Sequence, residues 1–281
     1  MEPTSTTSLL SGIKIVSVAL NAPGPVAAAR LTGMGAEITK VEPPGGDAIT
    51  KTAPQWYEAL CAGQTVVRMD LKNPAERQRL DTLLSTADLL LASFRPSALR
   101  RLGLDWESLH ARHPRLCFVG IIGYLPPNEE LAGHDLTYQV DCGLLTPPQM
   151  PSSLFVDLAG AERTVSMALA LLNKMARTGE SGCAWVSLYE CARELSQPLR
   201  AGLTKPGGLL GGGYPLYGFY RANDGWIAIA ALEPHFAARL LSELNLSQAN
   251  RAELEGIFLQ RSAAAWESWA RERDLPLVAV R

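Results

Sequence analysis

Residues 13–20, Ile-Lys-Ile-Val-Ser-Val-Ala-Leu, followed by 21–25, Asn-Ala-Pro-Gly-Pro, decide the fold of this chain. The β-branched run is typical of a buried strand, and the prolines and glycine after it mark the turn into an Ala-rich helix that extends through Gly35. A second apolar strand is predicted at 36–41. A strand, a helix and a strand in this order predict a βαβ unit and therefore a parallel sheet.

The alternation of strands and helices continues through much of the chain. Further strands are predicted at 65–69, 88–92, 116–122 and 183–189, with helices at 74–87 and 157–177. Because these strands are continuously apolar, we expect helices on both faces of the sheet. A glycine-rich stretch at 207–215 is the best candidate for a linker, and strands at 225–231 and 275–281 enclose two or three helices beyond it.

Composition excludes several classes of protein. The chain has 28 acidic and 26 basic residues, a net charge of −2, which argues against nucleic acid as a partner. Its five cysteines are scattered without a C-x-x-C pair, which favours reduced core thiols and no metal site. The first residues lack a signal peptide, and no run reaches the roughly 18 apolar residues of a membrane span. We expect a cytoplasmic protein.

The stretch 133–138, Gly-His-Asp-Leu-Thr-Tyr, is the most informative motif. Gly133 allows the backbone to approach a neighbour closely, and Asp135 and Tyr138 bring polar groups to the same helical turn as His134. From the spacing alone, His134 is as compatible with packing as with catalysis.

Two further carboxylates allow two interpretations each. Asp157 opens the long predicted helix, where it is either an N-cap or a rigidly held catalytic acid. Glu233 lies between a strand and a helix and fits a cap or a surface turn. No G-x-S-x-G elbow is present, and the prolines of 21–25 remove the amide donors that a dinucleotide-binding loop needs.

Taken in order, several segments resemble the family III CoA-transferases (CaiB/BaiF), and among them the racemases of α-methylacyl-CoA. The segments are 10–16 (LSGIKIV), 33–43 (GMGAEITKVEP), 69–72 (MDLK), 94–96 (FRP), 102–104 (LGL), 133–138 (GHDLTY), 156–157 (VD), 223–228 (NDGWIA) and 232–234 (LEP). The resemblance implies a Rossmann-like large domain, 1–200, joined to a smaller α/β domain, 201–281. It also implies an interlocked homodimer with an acyl-CoA site between the large domain of one subunit and the small domain of the other.

The same resemblance implies a reaction and its residues. Racemases of this family hold an acid/base group on each face of an enolate, and these groups correspond to His134 and Asp157. Glu233 would orient His134, and Asp135 and Tyr138 would support the constellation. We therefore expect inversion of the α-carbon of a 2-methylacyl-CoA, with coenzyme A as part of the substrate and no other cofactor.

Two alternatives stay open. Transferases of the family use the residue corresponding to Asp157 as a nucleophile that holds CoA as an aspartyl thioester, and they generally lack the histidine. The presence of His134 together with Glu233 favours the racemase. A non-catalytic acyl-CoA binder, or a subunit that needs a longer partner, is the second alternative, because the chain stops near the point where a typical member returns to its large domain.

Departures from the family pattern concern the cations that bind CoA phosphates. The basic stretch usual before the third strand reads Ala-Gly-Gln-Thr at 62–65, and Pro43 replaces the basic residue after the second strand. The cations expected to bind the phosphates are Lys40, Arg68, Lys72 and Arg95.

Overall fold

The computed structural model describes residues 8–281, and the chain divides into two compact units. The first unit ends at Leu195 and the second runs from Ser196 to Arg281, next to the boundary that the sequence suggests at 200/201. The glycine-rich stretch lies inside the second unit, so its interpretation as a linker is wrong. Its glycines let the backbone fold onto itself in a tight turn, Leu209–Gly213, where a Cβ on Gly211 would lie 1.7 Å from the Lys205 carbonyl oxygen.

The first unit contains a six-stranded sheet that is parallel throughout, which confirms the predicted α/β fold. The strands are β1 (Lys14–Ser17), β2 (Glu37–Glu42), β3 (Thr65–Arg68), β4 (Leu89–Ala92), β5 (Cys117–Ile122) and β6 (Cys183–Ser187). Their order in the sheet is β3-β2-β1-β4-β5-β6, the order of the Rossmann fold. The direction of winding therefore reverses between β1 and β4.

Helices cover both faces of this sheet, as the continuous apolar strands predict. They are α1 (Pro23–Gly33), α2 (Ile49–Thr52), α3 (Pro54–Cys61), α4 (Pro74–Leu84), α5 (Pro96–Leu102), α6 (Trp106–Arg112), α7 (Asp135–Asp141), α8 (Phe155–Thr178) and α9 (Leu188–Leu195). One core cluster includes Leu31 of α1 and Val165 of α8, and the other includes Leu80 of α4 and Leu109 of α6. Every residue of β4 and β5 is buried between them.

Several predicted boundaries differ from the structure for local reasons. The strand predicted at 183–189 ends at Ser187, because the chain turns directly into α9. The long helix begins at Phe155, two residues before the predicted start at Asp157, and ends at Thr178, where its C-cap is Gly179, whose φ of +72° favours glycine. Two of the five cysteines, Cys117 and Cys191, are buried in the core, whereas Cys183 is exposed.

The second unit has an antiparallel sheet with helices. Its elements are α10 (Gln197–Arg200), β7 (Tyr217–Arg221), β8 (Trp226–Ala230), α11 (Pro234–Glu243), α12 (Arg251–Phe258), α13 (Ala263–Glu272) and β9 (Leu277–Ala279). Strand β7 is absent from the sequence prediction, although it pairs with β8 in a hairpin whose turn contains Asn223 and Asp224. Within residues 8–281, no helix is both long enough and apolar enough to span a membrane.

Candidate active site

A cavity of about 240 Å³ lies at the carboxyl end of the parallel sheet. Leu20 and Asn21 reach it from the loop after β1, and Ser93 and Arg95 reach it from the loop after β4. The cavity therefore lies at the point where the strand order reverses, which is where open α/β sheets bind their ligands. Its polar lining consists of Asn21, Ser93, Arg95, Glu129, His134, Tyr138 and Asp157.

The loops after β1 and β4 are tied together beside this cavity. The Ser93 hydroxyl accepts a hydrogen bond from the Leu20 amide, at 2.8 Å, and donates one to the Leu20 carbonyl, at 3.1 Å. Asn21 follows with a φ of +64°, a left-handed conformation that asparagine tolerates better than most residues. These contacts hold the two loops together at the cavity, where the direction of winding reverses.

Asp157 lies in the first turn of α8 and is not its N-cap. The cap position belongs to Leu154, so the interpretation of Asp157 as a plain cap is wrong. Asp157 is half-buried and lines the cavity. Burial and, second, the carboxylate of Asp135 raise its pKa from 3.8 to about 7. A carboxyl group with such a pKa can give and take a proton near neutrality.

Asp135 caps α8 from the neighbouring helix α7. Its Oδ1 accepts hydrogen bonds from the backbone amides of Val156, at 2.8 Å, and Asp157, at 3.1 Å, and its Oδ2 accepts one from Gln139. Only 4 % of Asp135 is exposed. Because these donors occupy both oxygens, Asp135 positions Asp157 and shifts its pKa, and the geometry gives it no role in direct proton transfer.

His134 is the N-cap residue of α7 and lines the same cavity as Asp157. Its backbone amide donates to the Thr137 hydroxyl, at 3.0 Å, and that hydroxyl donates to the His134 carbonyl, at 2.8 Å. The side chain is exposed, and His134 forms a capping box with Thr137 at the start of α7. The backbone of His134 is therefore held beside the cavity.

Tyr138 explains the glycine of the motif. The tyrosine is 1 % exposed, and its ring lies against both Gly133 and Gly123. A Cβ on Gly133 would lie 2.4 Å from Cε1 of Tyr138, and a Cβ on Gly123 would lie 2.5 Å from its hydroxyl oxygen. Burial raises the pKa of Tyr138 to about 12, so its hydroxyl stays protonated at neutral pH. Both glycines are needed to bring this hydroxyl to the cavity wall.

Glu233 belongs to the second unit, where it is the N-cap residue of α11. Its position between a strand and a helix is as the sequence predicts. The side chain is exposed and makes no hydrogen bond or ion pair within residues 8–281. Its role toward His134 stays a prediction.

Lys40 is unsuited to the predicted role of binding a CoA phosphate. The side chain is 1 % exposed, and Nζ pairs with Glu42 at 2.7 Å and with Asp47 at 2.9 Å. Tyr57 donates a further hydrogen bond to Glu42, at 2.8 Å. These partners hold the pKa of Lys40 above its usual value in spite of burial, which acts in the opposite direction and is the largest effect. Lys40 is therefore a buried structural cation.

The other three predicted cations are exposed at the carboxyl edge of the sheet. Arg68 ends β3, Lys72 follows it, and Arg95 precedes α5. None of them forms an ion pair within the described residues. An apolar pocket of about 190 Å³ lies beside Lys72, between the ends of β1, β2, β3 and β4, and Leu20 lines both this pocket and the cavity that contains Asp157.

Asn21, Ser93 and Glu129 line the cavity, although no sequence motif marks them as site residues. All three lie in loops that follow parallel strands, and this position is the signal that could have found them. Groups of three or more His, Cys, Asp or Glu side chains placed to hold a metal ion do not occur in residues 8–281.

Fold and site together define a class of protein: a doubly wound α/β protein whose ligand site holds a histidine and an aspartate in place of a dinucleotide-binding loop. The chain belongs to CoA-transferase family III, whose sequence profile matches residues 10–281. This is a family of enzymes that includes racemases and CoA-transferases.

Named relatives come from both groups. Human alpha-methylacyl-CoA racemase is 31 % identical over 257 residues, covering 84 % of this chain and 65 % of the racemase. Cinnamoyl-CoA:phenyllactate CoA-transferase from Clostridium sporogenes is 26 % identical and covers 98 % of this chain and 79 % of the transferase. The crystal structure of the hypothetical protein Rv3272 from Mycobacterium tuberculosis shares the fold, with a TM-score of 0.85 at 24 % identity over 98 % of this chain and 84 % of that one.

Proposed function

We propose that this protein is an acyl-CoA racemase that inverts the α-carbon of a 2-methylacyl-CoA by two-base proton transfer. The observation that carries the proposal is the placement of His134 and Asp157 in one cavity, with the pKa of Asp157 raised to about 7. One base removes the α-proton of the thioester, and the other returns a proton to the opposite face. A base that works in both directions needs a pKa near the working pH, and burial supplies this for Asp157.

The enolate that forms between the two transfers needs a donor at the thioester oxygen. Arg95, Asn21 and the hydroxyl of Tyr138 line the cavity and can donate. Because Tyr138 keeps its proton at neutral pH, it is a donor in the same pH range in which Asp157 exchanges protons. These groups are our proposed source of enolate stabilisation.

Coenzyme A is proposed to lie along the carboxyl edge of the sheet. Arg68 and Lys72 are exposed there and suit phosphate groups, since charge-assisted contacts of this kind typically contribute about 1.5–3 kcal/mol each. The apolar pocket beside Lys72 suits an uncharged part of the same ligand. Because this pocket shares Leu20 with the reaction cavity, one extended thioester can occupy both.

A CoA-transferase is the second candidate, because a relative named as a CoA-transferase matches almost the whole chain. In that reaction the Asp157 carboxylate would attack the acyl-CoA thioester carbon and release CoA as a thiolate. The thiolate would then attack the resulting anhydride at the aspartyl carbonyl, so that the acyl group leaves as a carboxylate and CoA is held as an aspartyl thioester. A pKa near 7 leaves much of Asp157 protonated at neutral pH and therefore favours proton transfer over nucleophilic attack.

The test uses the two enantiomers of a 2-methylacyl-CoA separately in D₂O. The wild-type protein is expected to incorporate deuterium at the α-carbon of both. His134→Ala should abolish exchange from one enantiomer and Asp157→Asn from the other, because each base serves one face. The matched control is His110→Ala, which alters a histidine stacked on Trp106 and outside the lining of the cavity.

The competing functions give different results in the same preparation. A transferase incubated with acyl-CoA would gain the mass of CoA on Asp157, and this mass would disappear after hydroxylamine. A non-catalytic binder would bind acyl-CoA in calorimetry with neither exchange nor adduct. If the wild-type protein failed to exchange the α-proton of either one of the two enantiomers, the racemase proposal would be overturned.

A further inference from the structure

Glu129 is a third carboxylate of the reaction cavity, and the two-base reaction leaves it without a role. It lies in the loop between β5 and α7 and lines the cavity together with His134 and Asp157. Its Oε2 is shielded from solvent and has no hydrogen-bond partner among the residues that the structure describes, 8–281. A buried oxygen of this kind is rare in native proteins, because leaving it unpaired costs about as much as losing a hydrogen bond.

The neighbouring Glu130 shows that the loop can satisfy a carboxylate. Its Oε1 accepts a hydrogen bond from the Ser97 amide, at 2.8 Å, and its Oε2 accepts one from the Ser97 hydroxyl, at 2.9 Å. Glu130 is outside the cavity lining. Of two adjacent glutamates, the one whose oxygens are bonded by Ser97 is not part of the cavity lining, and the one with an unpaired oxygen is.

We propose that Glu129 accepts a hydrogen bond from a hydroxyl group on the acyl part of the substrate, so that the thioester is a hydroxylated 2-methylacyl-CoA. This inference rests on the proposed function, since it assumes that the α-carbon lies in the cavity of His134 and Asp157. The cavity, at about 240 Å³, is smaller than the roughly 300–1,000 Å³ of typical small-molecule sites, so it suits the reacting end of the ligand.

The charge of Arg95 distinguishes between two kinds of substrate group that could donate a hydrogen bond to Glu129. A carboxylate can accept from an ammonium group or from a neutral hydroxyl. Because Arg95 lines the same small cavity, a second cation there would meet like charge. A hydroxyl avoids this repulsion and can also donate to Glu129.

The test compares 3-hydroxy-2-methylbutanoyl-CoA with 2,3-dimethylbutanoyl-CoA, in which a methyl group replaces the hydroxyl. We expect wild-type kcat/KM for α-proton exchange to favour the hydroxylated thioester by at least about tenfold, as is usual where a site is built to bind a hydroxyl. Glu129→Ala should reduce this preference to within about twofold. Glu130→Gln, the matched control on the same loop, should leave it unchanged. Glu129→Gln keeps one acceptor oxygen and should retain part of the preference, and thermal unfolding checks that each variant is folded.

Calorimetry separates failure of this inference from failure of the proposed function. If neither thioester exchanges but the hydroxylated one still binds more tightly and loses that advantage in Glu129→Ala, the racemase proposal fails and the inference stands. Equal use and equal binding of the two thioesters by the wild-type protein would overturn the inference. It would be overturned as well if Glu129→Ala weakened free CoA as much as the hydroxylated thioester, because the donor would then be an amide or hydroxyl of CoA itself.

Discussion

Replacing Asp157 by asparagine should stabilise the protein, and the gain should increase with pH. In the folded protein, burial and the charge of Asp135 disfavour the ionised form of Asp157 and raise its pKa from 3.8 to about 7. The folded state therefore holds a proton more tightly than the unfolded state. The stability associated with this proton is present below pH 4 and is lost as the pH rises through about 7. Asparagine cannot ionise and avoids the loss.

The size of the effect follows from the two pKa values. Their difference, 7 − 3.8 = 3.2, corresponds to about 4 kcal/mol at about 1.36 kcal/mol per pKa unit. Integrated over pH, the free energy of unfolding of Asp157→Asn should exceed that of the wild-type protein by less than about 1 kcal/mol at pH 4. The difference should be about 2 kcal/mol at pH 5 and about 4 kcal/mol at pH 8.

Urea unfolding followed by circular dichroism at pH 4, 5 and 8, at constant ionic strength, measures these differences. Glu58→Gln is the control, because Glu58 is exposed on α3 and makes no hydrogen bond or ion pair in residues 8–281. Its substitution should change the free energy of unfolding equally at all three pH values. A gain for Asp157→Asn that is the same at pH 4 and pH 8 would refute the burial argument.

Two further substitutions test the packing around the site. Gly133→Ala places a methyl group 2.4 Å from Cε1 of the buried Tyr138, so we expect a loss of about 1–3 kcal/mol in the free energy of unfolding, measured by urea titration. Lys40→Met removes the cation between two buried carboxylates, Glu42 and Asp47, and should cost about 3–5 kcal/mol, while the affinity for CoA in calorimetry stays unchanged.

Each of these substitutions has an informative contrary result. Gly33 also lies in the first unit, but nothing comes within 4 Å of a Cβ placed there, so Gly33→Ala is the steric control. Equal stability of the two alanine variants would contradict the contact between Gly133 and Tyr138. A large loss of CoA affinity in folded Lys40→Met would restore Lys40 to the phosphate-binding set.

The fold of the first unit follows from its sequence to a large degree. β4 and β5 are buried on both faces, so their sequences are continuous apolar runs that local periodicity can identify. β7 is different, because its pattern alternates around a buried Tyr220 and an exposed Phe219, and it begins shortly after a glycine-rich turn. Its assignment depends on pairing with β8, which is a tertiary contact.

A residue of the candidate site can be predicted from the sequence only where its residue type is itself suited to acid/base chemistry. His134 and Asp157 are such residues. Glu129 is not, because its importance depends on which carboxylate of the loop finds a protein partner. Lys40 shows the opposite case: as a basic residue on β2 it suits a phosphate, but its ammonium pairs with Glu42 on the same strand and with Asp47 from the loop after it. Such contacts depend on the paths of loops, which sequence patterns describe poorly.

The cap that Asp135 forms on α8 has a consequence for variation in chain length. Two amides at the start of α8 are held by a side chain at the start of α7, so the register between His134 and Asp157 does not depend on the connecting segment 142–154. Insertions or deletions in that segment should leave the pair of bases in place. This segment is therefore a position at which the loop length can change without altering the chemistry of the cavity.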